Sequence, residues 1–259
     1  MLAVTAWFGV LALGSGLPHV LGADSRIVGG HGAYIQDFPY MVSVNSYIAG
    51  FIEEQMCGGS IISADWLLTS ASCIQQYASN VAELRVRVGS SKQIDGTRLE
   101  VSEVILHPNF TGTSSPDYDI SLVKVKTPLV FNSTVQAVRL AEAGASLAAG
   151  TEAVHAGWGT VETGGLPLQY LRQLRVPVLS AEACSKDYPS GLDHDSMFCA
   201  GYDEAGKGPC QGDQGGPLVV NSTQVGLLSW GVSCAAANQP GVYTRLSHHR
   251  AWITASTGV

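Results

Sequence analysis

The sequence predicts an all-β protein built as a sandwich or a barrel. Short apolar segments recur along the chain, and clusters of Gly, Pro, Asn and Ser, such as Pro108-Asn109 and Gly164-Gly165, separate them. Composition points the same way: 46% apolar and 14% charged residues, with 30 glycines and 11 prolines, suit a loop-rich β protein better than a helical bundle or a disordered chain.

The elements follow in order. Tyr40–Val44, Trp66–Thr69, Leu84–Val88, Leu99–Leu106, Ile120–Val125, Leu174–Val178, Val225–Trp230 and Val242–Arg245 read as strands. In Leu84-Arg85-Val86-Arg87-Val88 the strict alternation puts Leu84, Val86 and Val88 on one face. One helix is predicted over 247–256, with Ser247 as its cap. Pro128 closes a strand run, and the stretch around 127–140 divides the chain into units of reasonable domain size, 27–130 and 131–246.

Residues 1–23 hold no Asp, Glu, Lys or Arg, and Leu2 to Leu13 are almost unbroken in apolar character. Small residues follow at Gly14, Ser15 and Gly16, and Val20-Leu21-Gly22 offers a cleavage site, so 1–22 reads as a secretory signal and 23–26 as a short activation peptide. That run is too short to span a bilayer comfortably. The net charge of −7 disfavours nucleic acid and anionic membranes as partners. Six cysteines in an exported chain suggest three disulfides, with 15 pairings open. A zinc site is the rival, but no Cys-x-x-Cys pair exists to hold one. Sequons at Asn109, Asn132 and Asn221 are candidates for glycosylation.

Ordered motifs narrow the reading. They are Arg26-Ile27-Val28-Gly29-Gly30, Cys57-Gly58-Gly59-Ser60, Trp66-Leu67-Leu68-Thr69, Asp119-Ile120-Ser121-Leu122, Gly157-Trp158-Gly159, Gln211-Gly212-Asp213-Gln214-Gly215-Gly216-Pro217, Ser229-Trp230-Gly231 and Pro240-Gly241-Val242-Tyr243-Thr244. In this order they resemble the chymotrypsin/trypsin-like serine proteases from Arg26 to the last helix. The resemblance implies two perpendicular Greek-key β-barrels with a C-terminal helix, and it implies the disulfides Cys57–Cys73, Cys184–Cys199 and Cys210–Cys234.

Members of that family attack peptides with a serine whose proton a histidine takes, while a buried aspartate orients the histidine. By resemblance Asp119 keeps the aspartate position, Ser72 stands at the base and Gln214 at the nucleophile. An amide does not attack a carbonyl usefully, and a hydroxyl does not titrate near pH 7. None of the seven histidines sits in a motif that offers a replacement base or a metal site, and no cofactor is implied. The segment Gly89 to Glu100 is short and lacks the paired glutamates of calcium-binding members.

The resemblance also implies an oxyanion hole from the backbone of Gly212 and Gln214, and an activation pairing of Asp213 with Ile27 once Arg26-Ile27 is cut. It implies a specificity pocket from Gly208, Ser229, Trp230, Gly231 and Gly241, neutral at Gly208, where trypsins carry an aspartate. Pro209 departs from the usual pattern beside it. The expectation is a secreted, monomeric protein that is no enzyme and acts by binding extracellular proteins such as protease inhibitors, proteases, or immune and clotting factors. The alternative is a serine endopeptidase with weak or residual chymotrypsin-like hydrolysis.

Overall fold

The structure is a computed structural model that describes residues 29–112, 117–189 and 191–259. The signal segment 1–22, the activation peptide 23–26, Arg26 and Ile27 lie outside the described residues.

The chain opens with the two-residue strand β1 (His31–Gly32). A closed barrel follows from β2 (Met41–Ile48), β3 (Ile52–Ile61), β4 (Trp66–Thr69), β5 (Leu84–Val88), β6 (Thr97–Leu106) and β7 (Ser121–Val125), in the spatial order β2-β3-β4-β7-β6-β5. Pairing of β5 back onto β2, Val42 opposite Val88, shuts the ring and leaves no edge strand to template aggregation. Val42, Val44, Ile61, Leu67, Val86 and Val123 fill it from alternating positions. The helix α1 (Ala71–Ile74) leaves β4 and carries Ser72.

The second half contributes β8 (Arg139–Leu140), β9 (Glu152–Gly157), β10 (Arg172–Pro177), α2 (Ala181–Asp187), β11 (Met197–Ala200), β12 (Pro217–Val220), β13 (Thr223–Trp230), β14 (Gly241–Arg245) and α3 (Leu246–Thr257). They form an eight-stranded sheet along β1-β10-β9-β12-β13-β14-β11, with β8 beside β13. An isolated bridge between Val178, just past β10, and Ala200 of β11 curls the six longer strands into a second barrel. Leu68, Ile120, Leu122, Leu227, Leu246 and Ile253 are buried in one cluster between the barrels. The predicted two-barrel, all-β fold with a C-terminal helix is observed.

All three disulfides form as the resemblance implied, with Cα–Cα distances of 6.5 Å for Cys57–Cys73, 5.6 Å for Cys184–Cys199 and 4.7 Å for Cys210–Cys234. The predicted cap is corrected. Helix α3 begins at Leu246, so Arg245 holds the N-cap position and Ser247 lies inside the first turn. The expected ends also shift at β6, which starts at Thr97, and at β13, which starts at Thr223. Hydrogen-bonded pairing extends a strand past the apolar run that marks it in sequence. No helix among the described residues is long and apolar enough to cross a membrane.

Candidate active site

Both barrels supply side chains to one cleft. From the first barrel, Ser72 stands in the opening turn of α1 and Asp119 lies just before β7. Asp119 is fully buried. Its Oδ1 accepts the Ser72 backbone N–H at 2.7 Å, which satisfies a helix donor that has no partner inside the helix. Its Oδ2 accepts the Ser72 hydroxyl at 2.7 Å and the Ser229 hydroxyl at 2.6 Å. Burial lifts the Asp119 carboxyl above its ordinary range, although these donors pull it back down.

The second barrel supplies the Gly212–Gly216 loop. Gln214 Nε2 donates to Ser72 Oγ at 2.7 Å and to the Ser229 carbonyl at 2.7 Å. Thus Ser72, Asp119, Gln214 and Ser229 form one hydrogen-bonded network, and the structure brings all three predicted triad positions together. Strand β3 holds the loop from across the cleft: Gly58 N–H donates to the Gln214 carbonyl at 2.8 Å, and Gln55 Nε2 donates to the Gly212 carbonyl at 3.2 Å. At Gly215, φ is +78°, and a Cβ would sit 2.2 Å from Thr69 Oγ1, so only glycine fits there. The backbone N–H groups of Gly212 and Gln214 donate to no acceptor among the described residues, which leaves them free for a ligand oxygen.

A cavity of about 210 Å³ opens beside this network, lined in part by Gly208, Gln214, Ser229, Trp230, Gly231 and Gly241. Every predicted pocket residue therefore reaches it. A Cβ on Gly231 would meet nothing, but one on Gly241 would lie 3.1 Å from Pro209 Cγ and 3.0 Å from the Tyr243 ring, so that wall is packed rather than open. Pro209, the departure noted in sequence, narrows the pocket from this side. The Gly208 wall carries no charge, and a Cβ there would sit 3.2 Å from Ala235 Cα.

Asp213 is wholly buried, and it accepts from Gly159 N–H at 2.8 Å and Cys210 N–H at 3.0 Å. Its implied partner Ile27 lies outside the described residues. The residue facing it here is His155, whose Nε2 stands 4.0 Å from Asp213 Oδ1 with neither ring nitrogen hydrogen-bonded. Sequence reasoning missed His155 and Gln55. Each reads as an ordinary strand residue, and only the packing of β9 and β3 against the Gly212–Gly216 loop reveals its position. His107 packs between the Tyr118 and Trp252 rings, at centroid distances of 4.9 and 4.8 Å. No histidine hydrogen-bonds Ser72 or Gln214 among the described residues. Asn109, Asn132 and Asn221 are all exposed.

The family model described as Trypsin matches residues 27–253. The chain is 38% identical over 248 residues to a vitellin-degrading protease of Bombyx mori, covering 95% of this chain and 91% of that protein. It is 39% identical over 235 residues to trypsin of Sus scrofa, covering 89% and 95%, and 36% identical over 270 residues to trypsin 5G1 of Aedes aegypti, covering 100% and 98%.

These relatives correct the expectation that the chain is no enzyme: proteins similar to it along nearly their whole length are named as proteases, which points to a serine endopeptidase. Ser72 and Gln214 do not carry that expectation. Loss of an imidazole removes the fast route for a proton, whereas the backbone donors, the pocket and a carboxylate-bonded hydroxyl all remain. The chain belongs to the trypsin family of serine proteases.

Proposed function

We propose that this protein is a secreted serine endopeptidase with weak, chymotrypsin-like hydrolysis, in which Ser72 supplies the reacting hydroxyl and Asp119 its base. The observation that carries the reading is the 2.7 Å bond from Ser72 Oγ to Asp119 Oδ2, which Gln214 links to the cavity that it lines with Ser229 and that no carboxylate lines. A serine hydroxyl attacks only when a base within reach takes its proton. Asp119 is in reach, and burial makes it a stronger base than an exposed carboxylate.

In this scheme Ser72 Oγ bonds to the scissile carbonyl carbon while its proton passes to Asp119. The Gly212 and Gln214 N–H groups take up the charge that develops on the carbonyl oxygen. As the C–N bond breaks, Asp119 returns the proton to the leaving amine, and water repeats the cycle on the ester. The rate is low because an ordinary carboxyl lies roughly 2.6 pKa units below imidazole as a base. Serine proteases stripped of triad members keep about 10³–10⁴ over the uncatalysed rate, and that is the scale expected here. Secretion is supported by the apolar segment 1–22 and by three disulfides, which persist in oxidising compartments.

Fluorogenic peptides carrying Phe, Tyr, Leu, Lys or Arg before the cleaved bond test the reading. Slow release from the Phe, Tyr and Leu peptides is expected, with loss of that release in Ser72→Ala. Absence of turnover in the parent, or equal turnover in Ser72→Ala, overturns it.

A further inference from the structure

The Ser229 carbonyl has an unusual donor. Pairing between β13 and β14 shifts register at this point: Leu228 lies opposite Tyr243 and Trp230 opposite Val242, so Ser229 is the extra residue between them. Its carbonyl takes a hydrogen bond from the Gln214 side chain at 2.7 Å. Ser229, Trp230 and Gln214 all line the same cavity, so this acceptor sits on a wall that a ligand would touch.

We propose that the Gln214 carboxamide is a gate that occupies the backbone acceptor of the cleft, so that a peptide must displace it while an apolar ligand without N–H groups need not. The inference rests on the reading of the cavity as a pocket for an apolar side chain of a peptide. Opening strands no buried group. Ser72 Oγ keeps Asp119 as its acceptor, the Ser229 carbonyl gains the N–H of the incoming peptide, and the freed carboxamide moves to water. Gln214 is only partly buried and lines the cavity, which leaves it room to swing. Two neutral hydrogen bonds are given up, a difference equivalent to about tenfold in affinity. Gln214 thereby selects against ligands that bind through their backbone and tolerates those that bind through a side chain.

The test compares the parent with Gln214→Ala and with Gln214→Met, which keeps the bulk but has no donor. Binding of acetyl-Ala-Ala-Phe-amide and of 2-phenylethanol to the full chain is measured by ligand-observed NMR titration. Both variants are expected to bind the peptide about tenfold more tightly and 2-phenylethanol within about twofold of the parent. Equal tightening of both ligands would mean that Gln214 blocks by bulk alone and would overturn the proposal, as would unchanged peptide affinity in Gln214→Met. Failure of 2-phenylethanol to bind any of the three proteins would overturn the apolar-pocket reading instead, with the gate still decided by the peptide.

Discussion

At the scale of single residues, the buried pair His155 and Asp213 makes a sharp claim about protons. Burial pushes the His155 imidazole down to about 4 and the Asp213 carboxyl up to about 6. With a 4.0 Å gap and both ring nitrogens unbonded, the imidazole is neutral rather than ion-paired. Asp213 takes up a proton on folding between its ordinary 3.8 and about 6, so its contribution to stability falls as pH rises through that range. His155 gives up a proton on folding between its ordinary 6.5 and about 4, so its contribution falls as pH drops through that range. The two slopes oppose each other. In His155→Leu the imidazole slope disappears, and the variant should gain on the parent by about 2 kcal/mol between about pH 6.5 and about pH 4.5. Urea midpoints at the two pH values read this directly, and groups common to both proteins cancel. A variant that instead loses ground on acidification would show His155 to be charged against Asp213.

Among the elements, the β12–β13 hairpin shows how local chemistry and fold can disagree by a small amount. Asn221 and Ser222 both adopt positive φ, +47° and +63°, as a two-residue turn between antiparallel strands requires. Asn tolerates that region, whereas Ser sits in it at a cost. Ser222→Gly should therefore raise the thermal midpoint by a few degrees while Asn221-x-Thr223 stays a sequon; a lower midpoint would mean that the turn gains more from the serine than from free φ. The strands themselves were unevenly legible. β4 and β5 are read to the residue, because every apolar residue of Trp66–Thr69 and Leu84–Val88 is buried, although Thr69 and Arg85 are buried with them. β3 was missed, because after Ile52 it runs through Glu53, Glu54 and Gln55, polar residues that break the apolar pattern. Glu53 there pairs with Arg87 at 2.7 Å, a contact between distant segments that no local pattern announces. β11 and β12, four residues each, were missed as well. The site was legible wherever a motif marked it, at Ser72, Asp119, Gln214 and the pocket glycines. It was illegible where a neighbour becomes important only through packing, as with Gln55, His155 and the closing of the Gly241 wall by Pro209.

For the molecule as a whole, the cleft is a joint between barrels, and its rigidity decides whether faster chemistry can be restored. Ser72 and Asp119 belong to the first barrel, Gln214 and Ser229 to the second, and their network spans the gap within 2.7 Å at each link. The Gly58 and Gln55 contacts hold the loop in register, and the apolar cluster around Leu68, Leu122 and Leu227 fixes the barrels behind it. If that frame is sound, Ser72→His together with Gln214→Ser places an imidazole beside Asp119 and a hydroxyl beside the free Gly212 N–H. The double variant should then exceed the parent on a Phe peptide by at least about 10³-fold. Neither single change should approach this, because base and nucleophile act as a unit and their effects do not add. Ser72→His alone should fall below the parent, since it removes the hydroxyl that the present chemistry uses. Phe, Tyr and Leu peptides should outrun Lys and Arg peptides, because a cation buried against Gly208 would find no carboxylate there. A folded double variant no faster than the parent would locate the fault in the frame, in the Gly212–Gly216 loop or the pocket walls, rather than in the two side chains.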